Sequence, residues 1–344
     1  MGVAITELLK CEEIKVNSLK GKILAVDAFN VLYMFTTTIR GPDGAPLMDS
    51  KGRITSHLTG LFSRFSNLME KGLKFVFVFD GKSPELKREE QNRRRKLKEE
   101  AKALYEEAKQ AQDVENMKKF AARSVFLTDD MIREAKSLIS AMGMPIVDAP
   151  SEGEAQAAHI VKRGDAFAVL SQDADSLLSG APLMVRNLSI TARRKMPGQF
   201  NHKSADPELI NLKDNLDFLK ISQDQLIALS ILVGTDYNYG GIKGIGPKKA
   251  IKLIEKFGDD FDAIFVEAKW DDHYDFSWKK IFDIIKNMPV TDDYKLEFND
   301  PDPDKIKELL VDEHDFSLER VNSTLLKLEE YKKMNAQKGL SDFF

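Results

Sequence analysis

The chain has one cysteine, Cys11, in 344 residues, which excludes an intramolecular disulfide, and its five scattered histidines show no zinc-ligand spacing. No apolar run approaches the roughly 18 residues of a membrane span. Glu7, Lys10, Glu12 and Glu13 crowd the N-terminus where a signal peptide needs an apolar core. These absences lead to the expectation of a reducing, intracellular setting with no membrane partner. Net charge of one sign is also nearly missing. The formal −4 argues weakly against a polyanionic partner, but the average hides a segregation. Lys82 to Arg123 is rich in lysine and arginine, whereas acids dominate after Asp259. Local sign governs what such a surface attracts.

At 42% apolar and 31% charged, the chain can bury one sizeable core with a smaller one appended. Four short apolar runs stop at or near a carboxylate. Ile23–Val26 leads to Asp27, Phe75–Phe79 to Asp80, Phe167–Leu170 to Asp173, and Ile231–Val233 to Asp236. Runs of this kind read as buried strands of a parallel sheet, and ligands bind beyond the carboxyl ends of such strands. The four acids should therefore converge. Glu152 and Glu154, opening a helical stretch, and Asp175 bring the cluster to seven. Carboxylates so crowded raise one another's pKa unless a cation is present, and oxygen-only ligands select Mg²⁺ or Mn²⁺. Singly, Glu152-Gly153-Glu154 or Asp173-Ala174-Asp175 reads more readily as a helix start than as a ligand pair. Together with Asp27 and Asp80 they fit two-metal phosphodiester hydrolysis.

The spacing predicts an α/β fold, a mostly parallel central sheet flanked by helices, with βα alternation through a helix over 30–39, a helix over 56–71 and the strand before Asp80. Residues 85–119 are charged helix formers with a thin apolar seam at Leu86, Leu97, Leu104 and Tyr105, so these helices cannot belong to the core. They read as an insertion between two halves of one sheet. The fold resumes with a capped helix from Thr128 to Gly143, a strand at 146–147 and a helix over 154–162. Ser222 to Gln225 is a capping box opening a helix to Val233, so residues 231–233 also read as helical. The expected divisions are 1–81 and 128–258 for the body, 82–127 for the insertion, 259–334 for a helical region without assigned chemistry, and 335–344 for a tail beyond a helix ending near Met334.

Gly81-Lys82-Ser83 is not a phosphate-binding P-loop, because the glycine required five residues earlier is Val76. Lys87 and Arg94, seven residues apart, share a helical face and either point together at a phosphate or lie on a solvated surface. Gly244-Ile245-Gly246-Pro247 between two helices resembles a helix-hairpin-helix. Its backbone N–H groups, with Lys248 and Lys249, suit sequence-independent phosphate contact, although a plain glycine-rich connection has the same pattern. Gln337, Leu340, Phe343 and Phe344 put two terminal aromatics on a polar tail, which favours a partner's groove over a core.

Val26-Asp27-Ala28, Val78 to Lys82, Ala149 to Ala155, Gln172 to Asp175, Val233 to Tyr237, Gly244 to Lys248, Met1-Gly2-Val3 and the tail together resemble the structure-specific flap endonucleases of the archaeal and eukaryotic type. The resemblance spans nearly the whole chain. It implies two Mg²⁺ ions, with Mn²⁺ as substitute: Asp27, Asp80, Glu152 and Glu154 mainly hold one, and Asp173, Asp175 and Asp236 the other. It makes the insertion a helical arch or gateway for the 5′ flap and places Lys87 and Arg94 at the scissile phosphate. Gly2, Tyr33, Arg40, Arg64, Glu152, Gly234 and Asp236 fall where the family meets DNA, with Tyr33 stacking on a terminal base pair. By the same resemblance Gly244, Gly246, Lys248 and Lys249 hold duplex, a K⁺ ion sits at the helix-hairpin-helix, and the tail binds a sliding clamp. Eukaryotic members extend beyond the clamp motif, whereas this sequence stops at Phe344. That fits an archaeal source, hence a cytoplasmic or nucleoid-associated protein, monomeric when free.

The implied reaction removes 5′ flaps in DNA replication and repair, with 5′–3′ exonuclease activity alongside, and leaves a ligatable nick. Three other readings use parts of the same pattern. A related 5′ exonuclease or junction resolvase shares the acids, and a metal-dependent ribonuclease shares the carboxylate logic without the hairpin or tail. A clamp-bound scaffold that recognises branched DNA without cutting it is expected to lose metal acids, and here all seven remain.

Overall fold

The computed structural model describes residues 5–41, 44–111, 113–121, 126–188, 194–195, 202–203 and 206–341, with side chains followed to residue 333. Its strands are β1 (Glu12–Glu13), β2 (Ile23–Asp27), β3 (Lys74–Phe79), β4 (Ile146–Asp148), β5 (Ala168–Leu170), β6 (Leu183–Arg186), β7 (Arg194–Lys195), β8 (His202–Lys203) and β9 (Glu208–Asn211). Among the described residues seven of them form one sheet in the order β1-β9-β6-β5-β2-β3-β4, while β7 and β8 pair with each other. From β6 to β4 the pairings are all parallel. β9 runs antiparallel to both β6 and β1, which makes the sheet mixed.

Period-two alternation explains how this sheet buries both faces. Phe75, Phe77 and Phe79 of β3 join one apolar cluster with Leu24 and Val26, whereas Val76 and Val78 join the other with Ala25 and Val169. Helices α1 (Ala28–Thr38), α2 (56–69, with a π-helical turn at Leu61–Phe65) and α5 (Asp129–Ala141) cover the phenylalanine face. Phe65 of α2 sits 4.8 Å from the rings of both Phe75 and Phe77. Between β3 and α5 comes the insertion, helices α3 (Arg88–Gln110) and α4 (Val114–Ala121). The expected seam is not what buries it. Leu97 and Leu104 are exposed, and the residues that close against neighbours are Ala101, Ala108 and Ala121, small enough for close helix approach.

The opposite face carries α6 (Gly153–Lys162), α7 (Asp175–Leu178), α8 (Leu212–Leu219), α9 (Gln223–Val233), α10 (Pro247–Phe257), α11 (Phe261–Glu267) and α12 (Trp278–Lys286). Here one of the two readings of residues 231–233 is corrected: the run is the end of α9, not a strand. Every residue from Leu226 to Leu232 is buried, so the helix is apolar all round and its sequence has no amphipathic period to betray it. The capping box at Ser222 and Gln225 is present, with Gln225 N–H donating to Ser222 Oγ at 3.2 Å.

The acidic region beyond Gly258 packs on both faces of the sheet. Phe265 stacks on Trp278 at 4.4 Å between ring centroids and Trp270 on Tyr274 at 4.3 Å. Further on, α13 (303–313) and α14 (Leu318–Ser341) return to the phenylalanine face. A polar seam fastens them. Asp49 accepts from Arg53 Nε at 2.7 Å and lies 3.1 Å from His314 Nδ1, while Glu134 sits 3.3 Å from both His314 Nε2 and His57 Nε2. Burial pushes the Asp49 carboxyl up, but the Arg53 backbone and side chain and His314 outweigh it and hold it at about 2. α14 continues to Ser341, past the expected end near Met334, because Asn335 to Lys338 contains no breaker. The side chains of Gln337 and Leu340, and Phe343 and Phe344 altogether, lie outside the described residues.

Close packing of α1 on α2 depends on Gly60, where a Cβ would stand 2.2 Å from Cγ of the buried Phe35. Gly60→Ala should destabilise the fold by about 1–3 kcal/mol through overpacking, read as a lower urea midpoint with an unchanged slope.

Candidate active site

Parallel strands deliver their carboxyl ends to one edge, and the acids meet there. Asp27 closes β2 and caps α1, accepting from Asn30 N–H at 3.0 Å and from Ser171 Oγ at 3.1 Å, with 4% of its surface exposed. Asp80 follows β3 and accepts from Gly153 N–H, the first residue of α6, at 2.6 Å. Asp173 follows β5 and takes a 2.9 Å hydrogen bond from Asn30 Nδ2. Glu152 precedes α6 and Glu154 lies in its first turn, while Asp175 opens α7. Asp236 arrives from the loop after α9. Glu152, Glu154, Asp175 and Asp236 line a cavity of about 40 Å³ together with Lys87 and Tyr237.

Their proximity shifts their titration. Burial, then Asp80, push the Asp27 carboxyl up to about 7. Burial, then Glu152, raise Asp80 to about 6, against the pull of the Gly153 N–H. Glu154 is driven well above the ordinary carboxylate range by burial, Asp175 and Asp27. Burial and Glu152 likewise push the Tyr237 phenol up. The insertion answers this negative charge. Lys87 pairs with Glu152 and stands 3.4 Å from Asp236, and Arg94 pairs with Asp236 through its Nη2. Burial pushes the Lys87 ammonium down, but Glu154, Glu152 and Asp236 outweigh it and hold it charged far above its usual value.

The donor set fits hard divalent cations. It offers carboxylate oxygens alone, three of them forced toward protonation by their neighbours, and Glu152 Oε1 is buried with no hydrogen-bond partner. Among the described residues no trio of acidic, histidine or cysteine side chains already forms a closed ion cage.

Other predicted residues spread outward from this edge. Tyr33 stands on α1, 37% exposed, with Lys98 of α3 4.3 Å from its ring centroid and donating to its hydroxyl at 3.2 Å. Arg40 is committed to backbone, donating to the carbonyls of Thr37, Gly44, Thr36 and Ala121 at 2.7–3.2 Å. Arg64 lies half-buried in the π-helical turn of α2. Gly234, with φ of +117°, ends α9, and a Cβ there would meet Gly241 N at 2.6 Å. Gly244 turns the chain with φ of +83°, Gly246 caps α10, and Lys248 and Lys249 are exposed on its first turn. Gly2 lies outside the described residues.

Sequence reasoning missed Asn30, which bridges Asp173 and the Gln172 N–H, and Asn238, which pins the Asp236 loop. Asn238 Oδ1 accepts from Thr235 N–H at 3.1 Å and Oγ1 at 2.7 Å, and its Nδ2 donates to Ile231 O at 2.7 Å. The spacing of Asn30 three residues after Asp27 was the available signal, since a cap carboxylate accepts from the N–H at that position and so fixes the residue beside the acids.

Comparison with known proteins gives this geometry a family. Residues 1–101 match the XPG N-terminal domain and residues 143–236 the XPG I-region. Flap endonuclease 1 of Aeropyrum pernix is 50% identical over 331 residues, covering 95% of this chain and 94% of that protein. The protein of the same name from Pyrococcus abyssi is 49% identical over 344 residues, covering 100% and 98%. The solved flap endonuclease-1 from Methanococcus jannaschii superposes with a TM-score of 0.75 at 41% identity, over 96% of this chain and 98% of that one. The catalytic core of Rad2 in complex with a DNA substrate shares the fold, with a TM-score of 0.68 at 24% identity over 94% and 97%. No helix among the described residues is long and apolar enough to cross a membrane. With near half-identity along its length and both XPG regions in place, the chain belongs to the flap endonuclease family of metal-dependent nucleases.

Proposed function

We propose that this chain is a structure-specific 5′ flap endonuclease that hydrolyses one phosphodiester at the base of a flap, leaving a 5′-phosphate and a 3′-hydroxyl. The observation that supports it best is the gathering of seven acids at one sheet edge with two cations of the insertion, Lys87 and Arg94, paired to the outer acids Glu152 and Asp236. Divalent cations bound by Asp27, Asp80, Glu152, Glu154, Asp173, Asp175 and Asp236 would activate the attacking water and neutralise charge on the scissile phosphate. The remaining work falls to the chain's own groups. Asn30, Ser171 and the Gly153 N–H fix the acids' orientation. Lys87 and Arg94 exchange their carboxylate partners for phosphoryl oxygens as the scissile phosphate enters. The end of the duplex must unpair to bring its backbone into so recessed a cluster, and Tyr33 offers a ring face to the base left behind.

Residues 82–127 act in this reading as the gateway for the flap, and Arg64, Gly234 and the turn at Gly244 and Gly246 with Lys248 and Lys249 take duplex backbone, with K⁺ at that turn. Arg40 contributes by holding the gateway's far end to α1 through Ala121. Gln337, Leu340, Phe343 and Phe344 form the segment that docks in a sliding clamp. The free protein is a monomer.

Single-turnover cleavage of a 5′-labelled double-flap DNA, set beside nicked duplex, Holliday junction and RNA flap, tests the assignment. Rapid Mg²⁺-dependent incision confined to the flap base supports it, and tight binding with no incision in any divalent metal favours the scaffold. Asp80→Ala should abolish cleavage while flap affinity stays within about threefold; parallel loss of both would remove Asp80 from the metal set. Arg94→Ala should slow the single-turnover step more than about tenfold, and an unchanged rate would count against its place at the phosphate. A pH experiment follows from Asp27. Its folded carboxyl keeps a proton up to about pH 7, while the unfolded one releases it near 3.8, so folding stability falls as pH rises through that window. Asp27→Asn should therefore raise the metal-free melting temperature by about 2 °C or more at pH 8 and less at pH 5.5. Equal shifts at both values would mean that repulsion at Asp27 does not strain the fold.

A further inference from the structure

Glu90 lies on α3, the most heavily charged helix of the chain, yet only 5% of it is exposed. A carboxylate hidden on such a helix needs strong partners, and it has two. Its Oε1 accepts from Arg94 Nε at 2.7 Å and from Arg93 Nη2 at 2.9 Å, and its Oε2 accepts from Arg93 Nε at 2.6 Å. From that shared anchor the two arginines fork toward one loop of the body. Arg94 reaches Asp236, and Arg93 lays its guanidinium 3.6 Å from the ring centroid of Tyr239. The loop they reach is stiff. Asn238 pins Thr235 and Ile231, Tyr274 donates to Gly241 O at 2.9 Å, and Gly234 and Gly241 approach within backbone contact.

An unanchored arginine beside seven acids has many partners to choose from and several rotatable bonds with which to reach them. Holding Arg94 by Nε removes most of that freedom and leaves its Nη end free to pass from Asp236 to a phosphoryl oxygen. Lys87 needs no such anchor, since an ammonium is a point charge without an orientation to preserve. We propose that Glu90 is a positioning residue. It clamps Arg94 for the reaction and, through Arg93 stacked on Tyr239, latches the base of the arch onto the loop that carries Asp236. This rests on the flap-endonuclease reading of the site.

The test is a double-mutant cycle. Glu90→Gln should slow single-turnover flap incision roughly tenfold with the flap dissociation constant, measured by anisotropy without divalent metal, within about twofold of wild type. In the Arg94→Ala background the same substitution should cost nothing further, because the group it positions is gone. Losses that multiply, or an unchanged rate for Glu90→Gln alone, overturn the positioning role. The latch is read separately by amide hydrogen exchange on the protein without DNA. Tyr239→Ala and Glu90→Gln should each speed exchange over residues 88–94 with no change in the sheet. Unchanged exchange in both overturns the latch even if wild-type protein incises no flap, an outcome that would itself sink the functional reading.

Discussion

Repulsion among seven carboxylates at the edge of one sheet is the constraint to which the rest of the structure answers. The parallel strands create it by delivering Asp27, Asp80 and Asp173 to the same edge, and α6, α7 and the loop after α9 complete it. Neutral donors hold the inner acids in place: Asn30 serves Asp27 and Asp173, Ser171 serves Asp27, and the Gly153 N–H at the start of α6 serves Asp80. None of these donors brings a full charge, so Asp27 and Asp80 stay far from their ordinary pKa values. Positive charge comes from outside the sheet, from Lys87 and Arg94, which partner the outer acids Glu152 and Asp236. The insertion and the acids are thus one electrostatic unit, with pairs drawn from 65 and 142 residues apart in sequence.

Much of the rest of the body serves the position of Asp236, the one acid that follows a helix and not a strand. Its loop is folded back so tightly that a Cβ on Gly241 would lie 2.3 Å from Val233 O. The aromatic cluster around Trp270 backs Tyr274, whose hydroxyl reaches that turn. The acidic region after Gly258, to which sequence alone attaches no chemistry, therefore supports the site by bracing its least regular part.

What the sequence disclosed and what it hid follow from how each feature is encoded. The central strands β2, β3 and β5 were legible because burial on both faces demands unbroken Val, Ile, Leu and Phe, and their terminal acids are conspicuous by contrast. Strands β1 and β9 were not, since Glu12-Glu13 are exposed and Glu208–Asn211 bury only one residue of four toward the sheet's margin, which leaves no continuous apolar run. The run 231–233 supported two readings because a fully buried helix and a buried strand have the same composition over three residues. Asn30 and Glu90 act by hydrogen-bonding side chains that carry the charge, and Asn238 by pinning the backbone and hydroxyl of the loop that bears Asp236. Their types are common at caps and on solvated faces, so only their burial and partners set them apart.

The seam at His314 has a consequence for the far end of the chain. Between α13 and α14, Asp315 accepts from Ser50 N–H at 2.8 Å, Glu313 O accepts from Arg53, and His314 is enclosed by Asp49 and Glu134. A pull on the long terminal helix is therefore borne by a buried rivet in the loop over 49–53 and in α5, on the face opposite α6 and α9. Were the tail tethered, as the proposed clamp contact requires, the load would enter through this seam and not through α6 or the loop after α9, which carry Glu152, Glu154 and Asp236.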